Sequence, residues 1–462
     1  MLTVLVISGM VTAVLVFRMA GLRAVAAPEV EPVDLLIDEA SVVARLSEAI
    51  RVGRVEVPAF AGGPVTADTL AGGSVLLTWE GSDAWLPPIL LAASLYPSPE
   101  AEPLPEAARL PSEGGPGPIE GGYAEGRGAR SVAAPALALL EAIDSLLGAG
   151  FRPRRTVLVA LTPDGSRAGA GAGAVAAYLA RRGVRPLWAL VGGSMVRTAL
   201  MPGLSDPVAV VGTAERGRAV LRVSGPASAG VPGSPGATDP INQAVSRLEE
   251  ARLPARLTGP TRDQLVTLGP HLDPGSRMLA ANLWLLEGPV ARALAERAEL
   301  EPAVRTTFAA LRYDASQGAE PSRPRGTADL EVGIAPWNTL ERVLESAREA
   351  VGDLGVEVSL SPDGGPPIHP SRESSAGSDG FALVRRAAFR TFPDIVEVVP
   401  GLLAAPTPGR AFEDVTDTVL RFVPLREEAV SGSTMPETER VRVTGFLDAV
   451  RFYVGLVRDG AG

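Results

Sequence analysis

Short, continuous apolar runs alternate with helix-like segments through the first half of the chain, and this alternation constrains the fold more than any other feature. The runs that predict buried strands are SVLLTW at 74–79, a segment at 88–95, RTVLVAL at 155–161 and a segment at 186–191. Helices are predicted at 132–147 and 170–182. Strands buried on both faces occur mainly in parallel sheets covered by helices, so the pattern predicts an α/β fold with a helix-covered, mostly parallel sheet.

The second half of the chain predicts a smaller α+β domain inserted into the first. Strands are expected at 328–334 and 356–360, and amphipathic helices at 241–251 and 339–351. The predicted units are residues 1–28 for an anchor and linker, 29–210 for the first part of the large domain, 211–362 for the inserted domain and 363–462 for the second part of the large domain.

The amino terminus carries LTVLVISGMVTAVLVF at 2–17, a run without a charged residue. Extended to residue 22, it predicts a helix of about 20 residues, which suits a hydrocarbon core of ~30 Å. We therefore expect a single-pass membrane protein that contacts the bilayer through residues 2–22. A cleaved signal peptide ending near AVA at 24–26 is the alternative, although no basic residue precedes the run. A bacterial inner membrane and a mitochondrial inner membrane both remain open.

The side-chain inventory excludes several chemistries. The formal charge of −10 argues against a nucleic-acid partner, because phosphate binding requires a basic surface. The chain has no cysteine, so it has no thiol nucleophile and no cysteine-ligated metal. All 43 basic residues are arginine, which excludes a lysine Schiff base and a Walker-type loop. Only two histidines occur, His271 and His369.

An ordered set of segments resembles the dinuclear-zinc peptidases and aminoacylases, and most of all their carboxypeptidase S branch. These segments include LLTWEGSD, GYAEGRG, ALLEAIDSLL, FRPRRTVLVAL, AERG, NLWLLEGPVARALAERAELEPAVRTT and FYVGLV. The resemblance implies a zinc-peptidase-like α/β domain with an inserted ferredoxin-like lid domain. It also implies chemistry on amide bonds of peptides and N-acyl amino acids, with zinc held by His and carboxylates.

The residues at the family's functional positions depart from that pattern. The resemblance assigns the five zinc-ligand positions to Ser94, Ser131, Ser166, Gly192 and Met435. It assigns the positions of the supporting acid, the general base, the oxyanion-binding His and the substrate-binding Arg to Tyr96, Gly165, Pro226 and Gly333. Serine and glycine are poor ligands for zinc, and methionine is too soft, so we expect neither a bound metal nor another cofactor. Thr407 and Arg410 keep part of the substrate-binding loop.

The remaining candidate residues have ordinary structural interpretations. His271 and His369 lie in Pro-bounded segments, where a solvated or capping role is expected rather than a metal-binding one. The segment AGAGAGAVAAYL at 168–179 resembles a nucleotide-binding glycine loop, but it also fits a strand-to-helix turn in which glycine permits close packing.

These observations predict a catalytically inactive relative of the family. We expect it to act as a membrane-anchored accessory or structural subunit, with protein partners in a larger membrane complex such as a respiratory-type assembly. One alternative is a ligand-binding pseudoenzyme that holds N-acyl amino acids or peptides through Thr407 and Arg410. Another is an active metal-dependent amide hydrolase.

Overall fold

The structure is a computed structural model that describes residues 2–33, 38–58, 63–95, 119–163, 169–226, 240–251, 253–257, 259–314, 325–427 and 439–462. The helices are α1 (Leu2–Gly21), α2 (Glu39–Val52), α3 (Ala134–Gly148), α4 (Ala170–Arg181), α5 (Pro240–Glu250), α6 (Gly259–Leu268), α7 (Pro274–Ala281), α8 (Leu283–Ala295), α9 (Leu340–Val351), α10 (Asp379–Thr391) and α11 (Val443–Ala461). The strands are β1 (Val65–Thr69), β2 (Val75–Trp79), β3 (Ile89–Ser94), β4 (Ile119–Glu120), β5 (Tyr123–Gly126), β6 (Val157–Thr162), β7 (Ala189–Arg197), β8 (Val208–Glu215), β9 (Gly217–Pro226), β10 (Thr307–Asp314), β11 (Arg325–Ile334), β12 (Glu357–Leu360), β13 (Glu397–Leu403), β14 (Val419–Arg426) and β15 (Glu439–Arg442).

An eight-stranded sheet forms the centre of the large domain, in the order β1-β2-β6-β3-β7-β14-β8-β13. The pairs β6–β3, β3–β7, β7–β14 and β8–β13 are parallel. Every residue of β6 and β8 is buried, because helices cover both faces of the sheet. One face packs against α3, α10 and α11, and the other against α4. The predicted α/β fold with a mostly parallel sheet is confirmed.

A second sheet of four antiparallel strands is formed in the order β10-β11-β9-β12. Helix α5 follows its first strand along the chain and α9 follows its third, which gives a βαββαβ arrangement. The two helices pack on one face of the sheet through a core of their own, which includes Leu221, Leu248, Leu330 and Val343.

The helices α6, α7 and α8 are an element that the sequence pattern does not predict. Helices α6 and α7 have only 10 and 8 residues, too few for a clear apolar periodicity, and Pro289 lies inside α8. Although these helices fall inside the predicted segment 211–362, α6 contacts β13 and β8 of the large sheet. The predicted boundary after residue 210 falls within β8, which also belongs to the large sheet.

Among the described residues, one helical segment, Ala129–Gly148, has the length and apolar composition needed to cross a membrane. It is 72% buried, which is typical of a core helix. The continuous part of α1 whose side chains are described, Thr12–Gly21, is apolar but shorter than that segment. The sequence-based expectation that α1 anchors the chain therefore stays a prediction.

Candidate functional site

Ser94 and Gly192 lie at one edge of the large sheet. Ser94 is the last residue of β3 and pairs with Thr162, the last residue of β6. In the adjacent strand pair, Leu90 of β3 is opposite Ala189 of β7, so the parallel register carries Gly192 to the same edge. The carboxyl ends of parallel strands are the usual position of an active site in this class of fold, so two of the predicted ligand positions converge there.

Ser131 lies on a helical turn, Ala129–Ala133, that leads into α3. The backbone amides of Arg130 and Ser131 donate hydrogen bonds of 2.9 and 2.8 Å to Oε2 of Glu439, at the start of β15. A carboxylate from a distant segment thus binds the turn that carries Ser131. The sequence analysis missed Glu439, because local patterns do not show that β15 pairs with β5 beside this turn.

The described residues at the predicted zinc positions do not fit a zinc pair. Ser94 and Ser131 offer neutral hydroxyls, and Gly192 offers no side chain, whereas zinc in proteins is held by imidazole, thiolate or carboxylate. His271 lies on the turn after α6, and His369 lies between β12 and α10, away from these strand ends. Tyr96, Gly165, Ser166 and Met435 lie outside the described residues.

Arg216 brings a guanidinium group to the position where the family's substrate-binding arginine was expected. Gly333 lies on β11 opposite Arg218 of β9, and a Cβ built on Gly333 would lie 2.6 Å from Cζ of Arg216. Nη2 of Arg216 donates to the carbonyl of Gly333, to Oγ1 of Thr307 at 2.8 Å and to the carbonyl of Arg305 at 3.1 Å. Burial lowers the pKa of Arg216 to about 10, so it remains charged at neutral pH.

The predicted oxyanion position, Pro226, is the last residue of β9, where it pairs with Arg325 of β11. Its place in the antiparallel register puts it at the opposite end of β9 from Arg216, which precedes the first residue of that strand. Gly333 pairs with Arg218 near the start of β9, whereas Pro226 is the last residue of that strand. Pro226 and Gly333 therefore lie at opposite ends of the four-stranded sheet.

Thr407 and Arg410 adjoin a buried charge network. The backbone amide of Thr407 donates to Oε2 of Glu215 at 2.5 Å, and Arg421 donates to Oε1 of Glu215 at 3.0 Å and to Glu413 at 2.8 Å. Glu215 and Arg421 are both fully buried. Burial raises the pKa of Glu215, while the charges of Arg421 and Arg410 oppose that shift. Within the described part of the chain, Oγ1 of Thr407 and Nη1 of Arg410 are buried without a hydrogen-bond partner.

A cavity of about 430 Å³ opens beside Thr407 and is lined by residues of β7, β13, α6 and α8. Much of its wall is apolar, with large side chains that include Leu200, Met201, Val210, Leu265, Leu294 and Leu300. Gln264, Arg197 and Glu299 add polar groups to the lining. The cavity therefore combines an apolar volume with a polar end near Thr407, which suits a ligand with a hydrocarbon part and a polar head.

The glycine-rich segment has a packing role at this site. Gly169 precedes α4 with φ of +61°, a conformation that favours glycine. A Cβ at this position would lie 3.2 Å from Cα of Pro408, so the turn lies directly against the segment between Thr407 and Arg410. The strand-to-helix turn explains the glycine without a nucleotide.

The fold combines a helix-covered, mostly parallel sheet with a βαββαβ domain, and comparison with known proteins identifies its family. The model of peptidase family M20/M25/M40 matches residues 103–459, so the chain belongs to this family. It is 28% identical over 406 residues to the N-fatty-acyl-amino acid synthase/hydrolase PM20D1 of Mus musculus, covering 86% of this chain and 78% of that protein. It is also 28% identical over 397 residues to the probable carboxypeptidase S-like 2 of Dictyostelium discoideum, covering 84% and 75%.

Solved structures share the fold at low sequence identity. The M20 family metallo-carboxypeptidase Sso-CP2 of Sulfolobus solfataricus superposes with a TM-score of 0.59 at 14% identity, covering 92% of this chain and 99% of that one. Human carnosine dipeptidase 1 gives a TM-score of 0.59 at 13% identity, covering 92% and 96%. The resemblance to the peptidase and aminoacylase family is confirmed.

These relatives overturn the functional prediction. We expected a catalytically inactive accessory or structural subunit, but the similar proteins are named as enzymes, so that interpretation is wrong. These relatives do not support the alternative of a ligand-binding pseudoenzyme. They also give no specific support to the alternative of a metal-dependent amide hydrolase. Substitution at the predicted zinc positions does not by itself establish that the protein is inactive.

Proposed function

We propose that this chain is an enzyme that acts on the amide bond of N-acyl amino acids with a long apolar acyl chain. One observation carries the proposal: an apolar cavity opens beside Thr407, and its lining includes Gly193, the residue after the predicted ligand position Gly192 on β7. The acyl chain would occupy the cavity, because apolar side chains form much of its wall. The relatives named as N-fatty-acyl-amino acid synthase/hydrolases support this substrate class.

The head group of such a substrate would lie near Thr407 and Arg410. Oγ1 of Thr407 and Nη1 of Arg410 are buried polar atoms without a partner among the described residues, and a substrate carboxylate or amide would satisfy them. Arg410 supplies a permanent positive charge, and its guanidinium matches the geometry of a carboxylate.

No step of the proposed reaction is assigned to zinc, since Ser94, Ser131 and Gly192 do not supply the ligands that zinc requires. The chain's own contribution is binding and orientation by Thr407 and Arg410, with the carboxylate of Glu439 held at the Ser131 turn. The proposal thus concerns the substrate class and the bond that reacts.

The direct test uses the purified full chain with an N-fatty-acyl amino acid and with the matched N-acetyl amino acid. We expect release of free fatty acid, detected by mass spectrometry, and slower turnover of the acetyl compound. Arg410→Ala should raise KM by roughly tenfold through loss of a charged hydrogen bond. Arg342→Ala, at an exposed position of α9, serves as the control. If neither compound is hydrolysed or formed, the proposal fails.

We further propose that the βαββαβ domain acts as a lid over this site. Two of the stretches that join it to the large domain are residue 216 and the segment after β12, where the Ser371 and Ser374 amides donate to the carbonyls of Glu215 and Thr213. Both lie beside the buried network of Glu215, so movement of the domain would be coupled to the site. Distances between spin labels on the two domains, measured with and without ligand, would test this; an unchanged distance distribution would count against a lid.

We also propose that α1 spans a membrane as a single helix. Most of its described apolar side chains are exposed, including Phe17 at 79% and Met10 at 66%. A helix that is apolar on all sides is stable where lipid or protein covers it. Alkaline carbonate extraction of membranes that contain the full chain is the test, since release into the supernatant would contradict a spanning helix.

A further inference from the structure

We propose that three exposed side chains beside α1 insert into the lipid bilayer that holds this helix. They are Leu279 of α7, and Trp284 and Leu285 at the start of α8, and we call them the α7–α8 apolar face. The proposal makes the folded domain itself a membrane-contacting surface. It rests on the proposed membrane insertion of α1 and requires nothing of the amide chemistry.

The α7–α8 apolar face is unusually exposed for residues of this kind. Leu279 is 45% exposed, Trp284 53% and Leu285 48%. Two short consecutive helices carry all three between positions 279 and 285, so the exposed apolar side chains are concentrated in one short segment of the chain. A patch of large apolar side chains is typical of a binding surface, because its exposure to water is unfavourable.

Polar contacts fix α1 firmly against these helices. The Arg277 guanidinium donates to the carbonyl of Met19 at 3.2 Å and to that of Leu22 at 2.5 Å. The buried Asn282, between α7 and α8, donates from Nδ2 to the carbonyl of Leu15 at 3.2 Å. The last two turns of α1 and the start of α8 therefore lie at the same level along the helix axis.

This attachment sets the depth of the α7–α8 apolar face. A 20-residue helix is about as long as the hydrocarbon core is thick, ~30 Å, so the whole of α1 is needed to span it. Leu15 lies six residues before the end of α1, which is about 9 Å along the axis at 1.5 Å per residue. The α7–α8 apolar face lies at the level of Leu15. If α1 spans the bilayer, the side chains of this face must therefore reach the membrane interface at the end of α1.

The chemistry around the face suits that interface. The Arg18 guanidinium lies 5.7 Å from the centre of the Trp284 ring, and Arg262 lines the same surface recess between α1 and α6. Tryptophan is enriched where hydrocarbon meets head groups, and arginine near a helix end can reach lipid phosphate. A second protein chain would instead require a complementary apolar surface.

The experiment exploits the absence of native cysteine, since a single introduced cysteine gives a unique labelling site. Leu279→Cys and Leu285→Cys are made in the full chain, spin-labelled and reconstituted in phosphatidylcholine–phosphatidylglycerol vesicles. Leu311→Cys is the matched control, because Leu311 is 53% exposed but lies on β10 of the inserted domain. Collision with oxygen, which concentrates in lipid, is compared with collision with a water-soluble nickel chelate.

We expect labels at 279 and 285 to collide more with oxygen than with nickel, and the label at 311 to show the reverse. Equal nickel access at all three positions would show that the face lies in water and would overturn the proposal. Protection of 279 and 285 from both reagents would indicate a protein partner and would overturn it as well. None of these readouts depends on amide hydrolysis, so failure of the proposed enzymatic function leaves this test intact.

Discussion

The guanidinium of Arg216 occupies the space that a side chain at Gly333 would need. A Cβ on Gly333 would lie 2.6 Å from both Cζ and Nη2 of Arg216, well inside normal contact distance. The two residues lie at the junction of the two sheets, because Arg216 separates β8 from β9. The arginine expected at position 333 of β11 is absent. The guanidinium of Arg216, which lies between β8 and β9, is next to that position instead.

Gly333→Ala should therefore destabilise the protein. The added methyl group would displace a buried guanidinium and break its hydrogen bonds to Thr307 and Arg305. We expect a loss of about 1–3 kcal/mol in the free energy of unfolding, measured by chemical denaturation. Gly352→Ala is the control, because nothing lies within 4 Å of a Cβ there and its φ is −60°. Equal stability of the Gly333 variant and the wild type would contradict this account.

The pair Arg421–Glu215 predicts a larger effect. Arg421→Met would leave the fully buried Glu215 without its charge partner, at a cost of about 3–5 kcal/mol. The control is Arg247→Met, which breaks the exposed pair with Asp353 and should change stability little. Urea denaturation of both variants at neutral pH provides the comparison. A small loss for Arg421→Met would show that Glu215 is neutral or solvated.

The penalty of Arg421→Met should depend on pH in a defined direction. Burial raises the pKa of Glu215, and removing Arg421 takes away an opposing charge, so the folded variant favours the protonated carboxyl. A carboxyl group whose pKa is higher in the folded than in the unfolded state lowers the free energy of unfolding at pH values above its folded-state pKa. This penalty disappears at pH values below its unfolded-state pKa. The deficit relative to wild type should hence be smaller at about pH 5 than at about pH 8. A deficit that grows on acidification would refute the assignment.

The cavity makes a prediction about acyl chain length. Ala405 lines the cavity and is exposed, so Ala405→Trp should fill space without disturbing the core. We expect Kd for an N-fatty-acyl amino acid to rise by roughly tenfold, and Kd for the N-acetyl analogue to stay unchanged. Ala309→Trp is the matched control, because Ala309 is also exposed but lies on β10, outside the cavity. Calorimetric titration distinguishes these results, and equal losses for both ligands would place the acyl chain elsewhere.

The serine and glycine residues at the predicted zinc positions give a prediction about metal content. Because Ser94, Ser131 and Gly192 lack zinc-binding groups, we expect the full chain, purified without chelator, to carry less than one zinc ion. Elemental analysis by mass spectrometry measures this, and chelator treatment should leave the melting temperature unchanged. Two tightly bound zinc ions per chain would show that residues outside these positions provide the ligands.

The large sheet was predictable because strands such as β3 and β6 are continuous apolar runs, and a helix follows each of them along the chain. The cavity was not, since its wall combines α6, α8 and the ends of β7 and β13, which are far apart in sequence. The helices α6–α8 escaped prediction for a local reason: α6 and α7 are short, and Pro289 lies inside α8.

The site residues show the same limit. Thr407 and Arg410 could be identified from a motif, but Arg216 and Glu439 act on positions more than 100 residues away in the chain. One signal was present: Arg421 lies between Leu420 and Phe422 in an otherwise apolar strand. A charged residue in such a place requires a buried partner, although sequence alone does not identify Glu215 as that partner.

Helix α6 forms part of two walls at once. Its Leu265 lines the cavity beside Thr407, while the next residue, Val266, lines the recess against α1. If the α7–α8 apolar face lies in lipid, a single layer of helices separates the membrane from the cavity. An amphiphilic substrate would then be drawn from the bilayer, and the reaction rate would follow its mole fraction among the lipids rather than its concentration in water.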